Sequence, residues 1–350
     1  MRIASVGKAF PPHYYDQDAL LEALRRVWSK RFFNQDRLDS LHRNVLVGGR
    51  HLALPLEEYE QRVTSWGAAN DAWIEVSQEI GAAAIGDAID KAGLSLADIG
   101  CLIFVSVTGV ATPSIDARLM NRLDLPSGVR RVPIFGLGCV AGAAGIARAA
   151  DYTKAYPDQV AVLLSVELCS LTLQLQDLSI PNLISSGLFG DGAAAAVVSR
   201  NAPAEGRAIE WIASATHMIP EDREALRFQH ESGLLRNVLA PEVPDIAAVH
   251  ARNVFDEVSR ETGISSDQIT SWLWHAGGKN VLHALREAFG LEEEDVGISR
   301  ELLGHLGNVS SPFVLFALAE ARKRDLPNGL WWMASFGAGF SSHGALLRAA

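Results

Sequence analysis

Cysteine, clustered basic residues and long apolar runs are all scarce in this 350-residue chain. Its three cysteines, an odd number at wide spacing, argue against a disulfide framework and against a zinc site. The net charge of −10 and the lack of any Lys/Arg run argue against a nucleic-acid partner. No apolar run approaches the length of a membrane span, and the N-terminus has no signal-peptide core. We therefore expect a cytoplasmic protein without membrane insertion.

What the sequence does contain is a regular alternation of strand-like and helical segments. This alternation predicts an α/β fold with largely buried sheets. Strand-like runs are predicted at Arg2–Val6, Cys101–Val107, Val129–Phe135, Val160–Ser165, Ala193–Val198, Ile209–Ala213, Trp272–Trp274, Trp331–Ser335 and Ala345–Leu347. Helices are predicted at Ala19–Ser29, Glu75–Lys91, Cys139–Tyr152, Ala247–Thr262, Lys279–Phe289 and Ser310–Lys323.

The two halves of the chain follow the same layout. In each, a strand leads to a Gly-bounded helix start about the same distance later, at Cys139 in the first half and at Asn308 in the second. Matched order of this kind indicates an internal duplication. We predict one half over residues 1–203 and the other over 204–350, joined by the charged segment Arg200–Arg207. The stretch Leu168–Leu188 has no counterpart in the second half and reads as an insertion that shapes a pocket.

The segment VPIFGLGCVAGAAGIARAA places Cys139 between a strand and a small-residue helix. A thiol at a helix N-terminus is favoured as thiolate by the unpaired N–H groups and the helix dipole. Glycines on both sides allow another backbone or a substrate to come close. A buried structural cysteine is the alternative, but this context favours a nucleophile.

Two further polar residues occupy equivalent positions in the second half. His275 follows a strand in WLWHAGGKN, where the ligands of α/β sheets bind. Asn308 precedes a helix in GHLGNVSSP. Taken singly, His275 is also compatible with a core or capping histidine, and Asn308 with a helix cap. The nine other histidines show no metal-ligand spacing, so no metal site is expected.

Together, Cys139, His275 and Asn308 resemble the Cys-His-Asn set of the thiolase superfamily. The chain most resembles the type III polyketide synthases, the chalcone and stilbene synthase family. The motifs that carry the resemblance occur in the family's order: RIASVGKAFPP, LGC, LFGDGAAA, GNVSSPFVLFAL and SFGAG. The run SVELCSLTLQLQDLSIPNLISSGLFGDGAAA is most similar to bacterial long-chain alkylpyrone and alkylresorcinol synthases. The resemblance implies a thiolase-like fold of five αβαβα layers.

The resemblance also implies a reaction. Cys139 would carry an acyl group from an acyl-CoA, preferably a long-chain one. His275 and Asn308 would stabilise the enolate left when malonyl-CoA loses carbon dioxide. Condensation and cyclisation would then give an alkylpyrone or alkylresorcinol. No cofactor is implied, since the coenzyme A thioesters are substrates.

Further roles are carried over from the family position by position. The implied substrate-binding residues are Phe189, Thr172, Cys169, Val107, Ser310, Gly337 and Gly339. The implied CoA-binding residues are Arg37, Arg43, Arg50, Gly278 and Asn280. Thr112 corresponds to the place where relatives insert a side chain into the partner's site, which implies a homodimer.

The sequence departs from the family pattern at several places. Alanine replaces proline after His275 and at Ala338, which relaxes both loops. Val107 and Cys169 replace two pocket threonines of the plant enzymes, and a more apolar lining suits an aliphatic chain. A second gatekeeper phenylalanine of those enzymes falls near Leu235–Arg236.

Two alternatives stay open at this point. One is a ketoacyl-ACP synthase III-like enzyme, which performs a single condensation on a carrier protein. The other is a non-catalytic thiolase-fold partner that only scaffolds a complex. Dependence on a carrier protein distinguishes the first from a polyketide synthase, and acylation of Cys139 distinguishes both enzymes from the scaffold.

Overall fold

A computed structural model describes residues 1–28, 34–202, 206–231 and 234–350. The strands are β1 (Arg2–Ala9), β2 (His13–Asp16), β3 (Gly49–Leu52), β4 (Ile99–Ser106), β5 (Arg130–Phe135), β6 (Val160–Leu168), β7 (Asp191–Ser199), β8 (Ile209–Met218), β9 (Leu226–Glu231), β10 (Leu234–Leu239), β11 (Ile269–Trp274), β12 (Gly329–Gly337) and β13 (Ser341–Ala349). The helices are α1 (Gln17–Trp28), α2 (Gln35–Arg43), α3 (Tyr59–Arg62), α4 (Trp66–Lys91), α5 (Ile115–Arg122), α6 (Ala141–Ala155), α7 (Ile180–Leu188), α8 (Val243–Thr262), α9 (Lys279–Phe289), α10 (Gly297–Leu306) and α11 (Phe313–Lys323).

The central feature is a mixed sheet in the order β11-β12-β13-β8-β1-β7-β6-β4-β5. Strands β5, β4, β6, β7 and β1 belong to the first half, and β11, β12, β13 and β8 to the second. The two sets are joined where Arg2 and Ile3 of β1 pair with β8. The sheet is therefore best described as two packed sheets that share one short seam.

Helices sort into three layers around these two sets of strands. Helices α6 and α11 contact strands of both sets and lie between them. Helix α4 packs on β1, β7 and β6 from the outside, and α8 packs on β13 and β8 from the other outside. Each sheet is thus buried on both faces, which is why strands such as β6 and β7 are apolar along their whole length. This αβαβα arrangement confirms the predicted fold.

The core segments agree with the sequence-based assignment, whereas short peripheral elements were missed. All the strands and helices predicted from the sequence are present within the described residues, most with longer bounds; Ser29, the predicted end of the first helix, lies outside them. The sequence pattern did not predict α2, α3, α5, α7, α10, the antiparallel pair β2 and β3, or the hairpin β9–β10. These elements are short, so their apolar positions repeat too few times to establish a period.

Three further predictions concern the boundary between the two halves, the absence of a membrane-spanning helix and the insertion in the first half. The boundary at 203/204 and part of the joining segment Arg200–Arg207 lie outside the described residues. Within the described part of the chain, no helix combines the length and the apolar character needed to cross a bilayer. The predicted insertion Leu168–Leu188 folds as the end of β6, a 3₁₀ turn over Cys169–Thr172, and α7.

Candidate active site

Cys139 lies in a 3₁₀ turn, Gly138–Val140, that runs directly into α6. Gly136 lies between β5 and this turn, and Gly138 is its first residue; their φ angles are 92° and 63°. Such positive φ values favour glycine, because the Cβ atom of any other residue would clash with the residue's own neighbouring backbone atoms. The glycines therefore allow the chain to reverse sharply between strand and helix, and the thiol is presented at the start of α6.

The backbone that approaches this turn comes from the other half of the chain. Ala338 N–H donates to the Leu137 carbonyl (3.0 Å), and Ser335 Oγ donates to the carbonyl of Cys139 (2.7 Å). A Cβ atom on Gly337 would lie 2.5 Å from Val140 N and from Leu137 O. Glycine at 337 is therefore required by this contact, and the loop after β12 holds the nucleophile turn in place.

Hydrogen bonds connect Cys139 to the segments that carry Asn308 and His275. Cys139 Sγ lies 3.3 Å from Ser310 Oγ, and Ser310 N–H donates to Asn308 Oδ1 (2.8 Å). Asn308 Nδ2 in turn donates to the Gly277 carbonyl (3.1 Å), two residues beyond His275. Ser310 has a φ of 56°, an uncommon conformation for a residue with a side chain, often found at functional sites. The fold thus links the three residues that the sequence singled out.

His275 continues β11 and is buried. Its N–H donates to the Ala334 carbonyl (2.9 Å), and its ring contacts the Phe313 ring edge-on at 5.4 Å between centroids. Nδ1 has no hydrogen-bond partner among the described residues. Burial lowers the pKa of His275 to about 3, so the imidazole is neutral at pH 7.

The surroundings of Cys139 in the structure oppose the thiolate that its position at a helix start predicts. Burial raises the pKa of Cys139 to about 12; the Ser310 hydrogen bond opposes this, and the charge of Glu167 adds to it. A low-dielectric site disfavours the charged form, and here that effect exceeds the contribution of the short helix start. Cys139 is therefore a thiol at neutral pH until its proton is taken up by a base.

A buried carboxylate that sequence reasoning missed lies beneath the site. Glu167, fully buried at the end of β6, accepts hydrogen bonds from Val107 N–H (3.1 Å), from Thr108 N–H (3.1 Å) and Oγ1 (2.9 Å), and from Ser311 Oγ (2.7 Å). Burial raises the pKa of Glu167 to about 7, against these hydrogen bonds. A single carboxylate inside an otherwise apolar strand is the sequence signal that points to such a group. Its bonds tie β4, β6 and the Asn308–Ser311 segment together.

Cys139 and Ser310 form part of the wall of a cavity of about 430 Å³. The wall is mainly apolar and is closed by α1, the insertion and the β9–β10 hairpin. Its apolar members include Leu20, Leu24, Val27, Leu52, Val107, Phe135, Leu173, Leu175, Phe189, Phe228 and Leu235. His275 and Asn308 do not contribute to this wall. An apolar chamber with one reactive thiol suits a covalently held chain of carbon atoms.

Most of the predicted substrate-binding residues line this cavity. Those that do are Phe189, Thr172, Cys169, Val107 and Ser310, and so does Leu235 near the predicted second gatekeeper. Gly337 and Gly339 do not line it, which corrects their predicted placement. Ala338 between them does, because the glycines are needed for close packing and for the turn, with φ of 122° at Gly339.

The predicted CoA-binding residues separate into two groups. Arg37 and Arg43 lie exposed on α2, and Asn280 is exposed at the start of α9, after Gly278. Lys279 Nζ donates to Asn44 Oδ1 (3.4 Å), so the end of α2 and the start of α9 meet at the surface. These residues therefore stay available for a phosphate-bearing ligand.

Arg50 does not share that surface and corrects the prediction. Its side chain is 3% exposed and donates to Gln17 Oε1 and to the carbonyls of Ser186 and Gly187. Burial lowers its pKa to about 10. The guanidinium satisfies carbonyl groups at the end of α7 inside the protein, a position unsuited to phosphates in solvent.

Comparison with known proteins identifies the family that has this site. The N-terminal domain of chalcone and stilbene synthases matches residues 1–202, and the C-terminal domain of the same family matches residues 210–349. The chain belongs to the chalcone and stilbene synthase family. As a type III polyketide synthase it is an acyltransferase of the condensing type, and this family uses coenzyme A thioesters such as malonyl-CoA. The resemblance found in the sequence is thereby confirmed.

Individual relatives match over nearly their whole length. A 1,3,6,8-tetrahydroxynaphthalene synthase of Streptomyces peucetius subsp. caesius is 40% identical, over 99% of this chain and 92% of that protein. A 3,5-dihydroxyphenylacetyl-CoA synthase of Streptomyces toyocaensis is 31% identical, over 90% of this chain and 81% of its own length. The crystal structure of 1,3,6,8-tetrahydroxynaphthalene synthase from Streptomyces coelicolor A3(2) superposes with a TM-score of 0.92 at 28% identity, covering 99% of each chain.

Proposed function

We propose that this polyketide synthase loads an aliphatic, preferably long-chain, acyl group from CoA onto Cys139. It then extends the chain with malonyl-CoA and releases an alkylpyrone or alkylresorcinol-type product. The observation that carries the proposal is the placement of Cys139 in the wall of a mainly apolar cavity. Apolar walls stabilise an aliphatic chain by removing its surface from water, about 0.8 kcal/mol for each CH₂ group.

The residues of the site divide the chemistry among them. Neutral His275 takes the Cys139 proton on Nε2 as sulfur attacks the starter thioester, and coenzyme A leaves as a thiolate, so that Nε2 carries a hydrogen for the next step. Loss of carbon dioxide from malonyl-CoA then produces an enolate, whose oxygen accepts hydrogen bonds from His275 Nε2–H and the Asn308 amide. The enolate carbon attacks the acyl-Cys139 thioester, the C–S bond breaks and Cys139 leaves as a thiolate. The chain, now two carbons longer, is a coenzyme A thioester that is transferred back to Cys139 for the next round.

The far end of the cavity supports an aliphatic starter. Leu20, Ala23, Leu24 and Val27 project from one side of α1 into the wall. Their i, i+3, i+4, i+7 spacing forms a continuous apolar stripe. A linear hydrocarbon chain would follow this stripe without leaving a polar group unpaired.

A second candidate product is of the tetrahydroxynaphthalene type. The observation that favours it is the 40% identical relative of that name. Such a product carries no alkyl tail, so it would leave the α1 stripe without a contact. Product analysis with malonyl-CoA as the sole substrate tests this candidate directly.

The starter range is the prediction that tests the proposed function. We expect mass spectrometry after incubation with malonyl-CoA and acyl-CoA starters of two to about sixteen carbons to show acylated Cys139 and released pyrones or resorcinols. In Ala23→Trp, the indole fills the α1 end of the cavity, and long starters should lose at least about tenfold in kcat/KM, the effect of one or two lost methylene contacts. Acetyl-CoA should be unaffected.

Ala19→Trp serves as the matched control, because Ala19 lies one turn earlier on α1 and does not line the cavity. Equal loss with all starters in Ala23→Trp, or tetrahydroxynaphthalene as the product from malonyl-CoA alone, would contradict the aliphatic starter. A single β-ketoacyl product formed only with a carrier protein would instead identify the single-round condensing enzyme.

We also propose that Arg37, Arg43 and Asn280 hold the phosphates and pantetheine arm of coenzyme A beside Gly278. The support is their common exposure where α2 and α9 meet. Two exposed guanidinium groups provide charge-assisted hydrogen bonds to phosphate oxygens.

We further propose that the enzyme is a homodimer in which Thr112 faces the partner's site. The exposed edge strand β5 carries Val132 (39% exposed) and Phe135 (63% exposed), and the exposed Val110 and Thr112 follow β4 beside it. Phe135 also lines the cavity, so this surface adjoins the site. An apolar edge strand without a neighbour is a surface that natural proteins cover.

The dimer can be tested by sedimentation equilibrium, where we expect twice the chain mass of 37.7 kDa. Val132→Asp should shift the protein toward monomer, since an unpaired charge in an apolar interface is costly. Val249→Asp, on the exposed side of α8, is the control and should stay dimeric. A monomeric unmodified protein at micromolar concentration contradicts the dimer.

A further inference from the structure

A small polar patch interrupts the apolar wall of the cavity. Tyr59, Ser170 and Arg50 all line it, and the carboxyl of Asp191 lies directly behind Ser170. None of these side chains takes part in the loading, decarboxylation and condensation steps derived above. Burying polar groups in an apolar chamber costs free energy of folding unless hydrogen bonds compensate, so polar groups kept at such a place point to a function.

Continuous hydrogen bonds run from the cavity wall to this carboxyl. Asp191 is 0% exposed and accepts bonds from Ala53 N–H (2.6 Å) and Ser170 N–H (2.8 Å). Ser170 Oγ donates to Asp191 Oδ2, and Tyr59 Oη lies 2.5 Å from Ser170 Oγ. With the carboxyl ionised, the two hydroxyl protons therefore point from Tyr59 to Ser170 and from Ser170 to Asp191.

The surroundings allow the carboxyl to change its charge. Burial raises the pKa of Asp191 to about 7, while its bonds to Ser170 and Ala53 and the charge of Arg50 act in the other direction. The titratable groups facing Asp191 are Arg50, Tyr59 and Cys169. Burial also raises the pKa of Tyr59, so its hydroxyl stays protonated and can pass a proton on without becoming charged.

We propose that Tyr59, Ser170 and Asp191 form a proton relay that directs ring closure of the polyketide chain through carbon. Tyr59 is the member that meets the chain, and Ser170 and Asp191 act through it. The inference rests on the proposed polyketide function and deepens it by naming the closure: a carbocyclic, phenolic ring of the resorcinol type in preference to a pyrone.

The relay step balances within the site. A methylene between two carbonyl groups gives its proton to Tyr59 Oη, as the Tyr59 proton moves to Ser170 Oγ and the Ser170 proton to Asp191. The carbanion attacks a distant carbonyl carbon of the same chain, and the C=O electron pair becomes an alkoxide. The relay then runs backwards and protonates this alkoxide, which gives a cyclic aldol. Loss of the new hydroxyl with a neighbouring C–H hydrogen as water, followed by enolisation of the remaining ketones, makes the ring phenolic, and a water molecule hydrolyses the thioester to release it. Closure to a pyrone joins an enol oxygen to the thioester carbon and has no need of carbon deprotonation at this place.

The test compares Tyr59→Phe and Ser170→Ala with the unmodified enzyme, with Tyr15→Phe as matched control. Tyr15 Oη accepts one backbone N–H, from Leu56 (3.2 Å), and Tyr15 does not line the cavity. The readouts are the ratio of phenolic to pyrone products, total malonyl-CoA consumption, and the thermal unfolding temperature. General acid–base catalysis typically contributes about 10²–10⁴-fold, so we expect the ratio to fall at least about tenfold in both relay variants. Malonyl-CoA consumption should change less than about twofold, by the same reasoning, since the relay is absent from extension.

The pH profile separates the relay from a structural role. Asp191 must be ionised to accept the proton, so the product ratio of the unmodified enzyme should rise as pH increases through about 7. In Tyr59→Phe the ratio should be independent of pH over that range. A structural role alone would lower the unfolding temperature and all products together, and this outcome overturns the relay.

Two other outcomes also overturn it: an unchanged product ratio in both relay variants, and pyrones as the sole products of the unmodified enzyme. In the second case the proposed synthase function survives, since the chain was loaded and extended. Absence of acyl-Cys139 and of any extended product marks failure of the proposed function itself.

Discussion

Replacement of Cys139 by serine is expected to abolish acylation of the protein and chain extension. Serine has nearly the same shape, so the hydrogen bond to Ser310 and the fit under the Gly337 loop are retained. The hydroxyl is, however, a far weaker nucleophile toward a thioester than sulfur, and loss of the nucleophile in covalent catalysis costs on the order of 10³-fold or more. Intact-protein mass spectrometry with an acyl-CoA starter detects the adduct, and product analysis measures extension.

Cys169→Ser is the matched control for this experiment. Cys169 is a second buried thiol in the same cavity wall, and burial raises its pKa well above the usual value. The control should load and extend normally, because none of the hydrogen bonds described above links its thiol to the segments that carry His275 and Asn308. Full activity of Cys139→Ser, or an acyl adduct that maps to Cys169, would refute the assignment of the nucleophile.

Asn308→Ala is expected to impair decarboxylation of malonyl-CoA more than starter loading. The Asn308 amide has two hydrogens; one is donated to the Gly277 carbonyl, which leaves the second for the enolate oxygen. Removing one donor of this kind typically lowers the rate by about 10²–10³-fold, or about 2.7–4 kcal/mol. Starter loading depends on Cys139 and His275 and should fall much less. The measurements are acetyl-CoA release from malonyl-CoA and the rate of Cys139 acylation.

The variant Asn308→Asp distinguishes two effects: loss of the hydrogen bond that the amide donates to the enolate, and disturbance of the turn at Ser310. The aspartate keeps an oxygen that accepts the Ser310 N–H, which preserves the Ser310 turn beside the thiol. It cannot donate as the amide does, and its charge repels an enolate, so decarboxylation should be at least as slow as in Asn308→Ala. Equal loss of loading and decarboxylation in both variants would assign Asn308 a structural role alone.

The sequence was sufficient to predict the nucleophile turn and the layered fold. Glycines around Cys139 have the conformations and the close contacts that their positions suggested, and long apolar strands such as β6 show sheets buried on both faces. Cys139 and Asn308 lie in adjoining hydrogen-bonded segments because α6 and α11, which follow them, pack against each other between the two sets of strands.

The degree to which individual polar side chains are buried could not be predicted from the sequence. The family resemblance implies that Arg50 binds coenzyme A, yet packing buries its side chain against the end of α7. The same cause reverses the expected pKa shift of Cys139, since the degree of desolvation depends on residues far away in the chain. Glu167 lies near the end of the apolar strand β6 and Asp191 begins the apolar strand β7, but the groups that they bind come from other strands and loops. Their partners follow from the topology, which local patterns do not encode.

The contact between the loop after β12 and the nucleophile turn has a consequence for how the protein folds during its synthesis. Ser335, which binds the Cys139 carbonyl, is synthesised 196 residues after it. Domains form from the N-terminal end during synthesis, so the first half can acquire its own core well before β12 emerges. His275 and Asn308 are synthesised within that interval, whereas the loop that contacts the nucleophile turn comes after them, at the end of β12. The condensing centre is therefore completed late, when β12 and β13 add to the sheet. A chain truncated before β12 would keep Cys139, His275 and Asn308 but would lack the loop that holds the nucleophile turn in place.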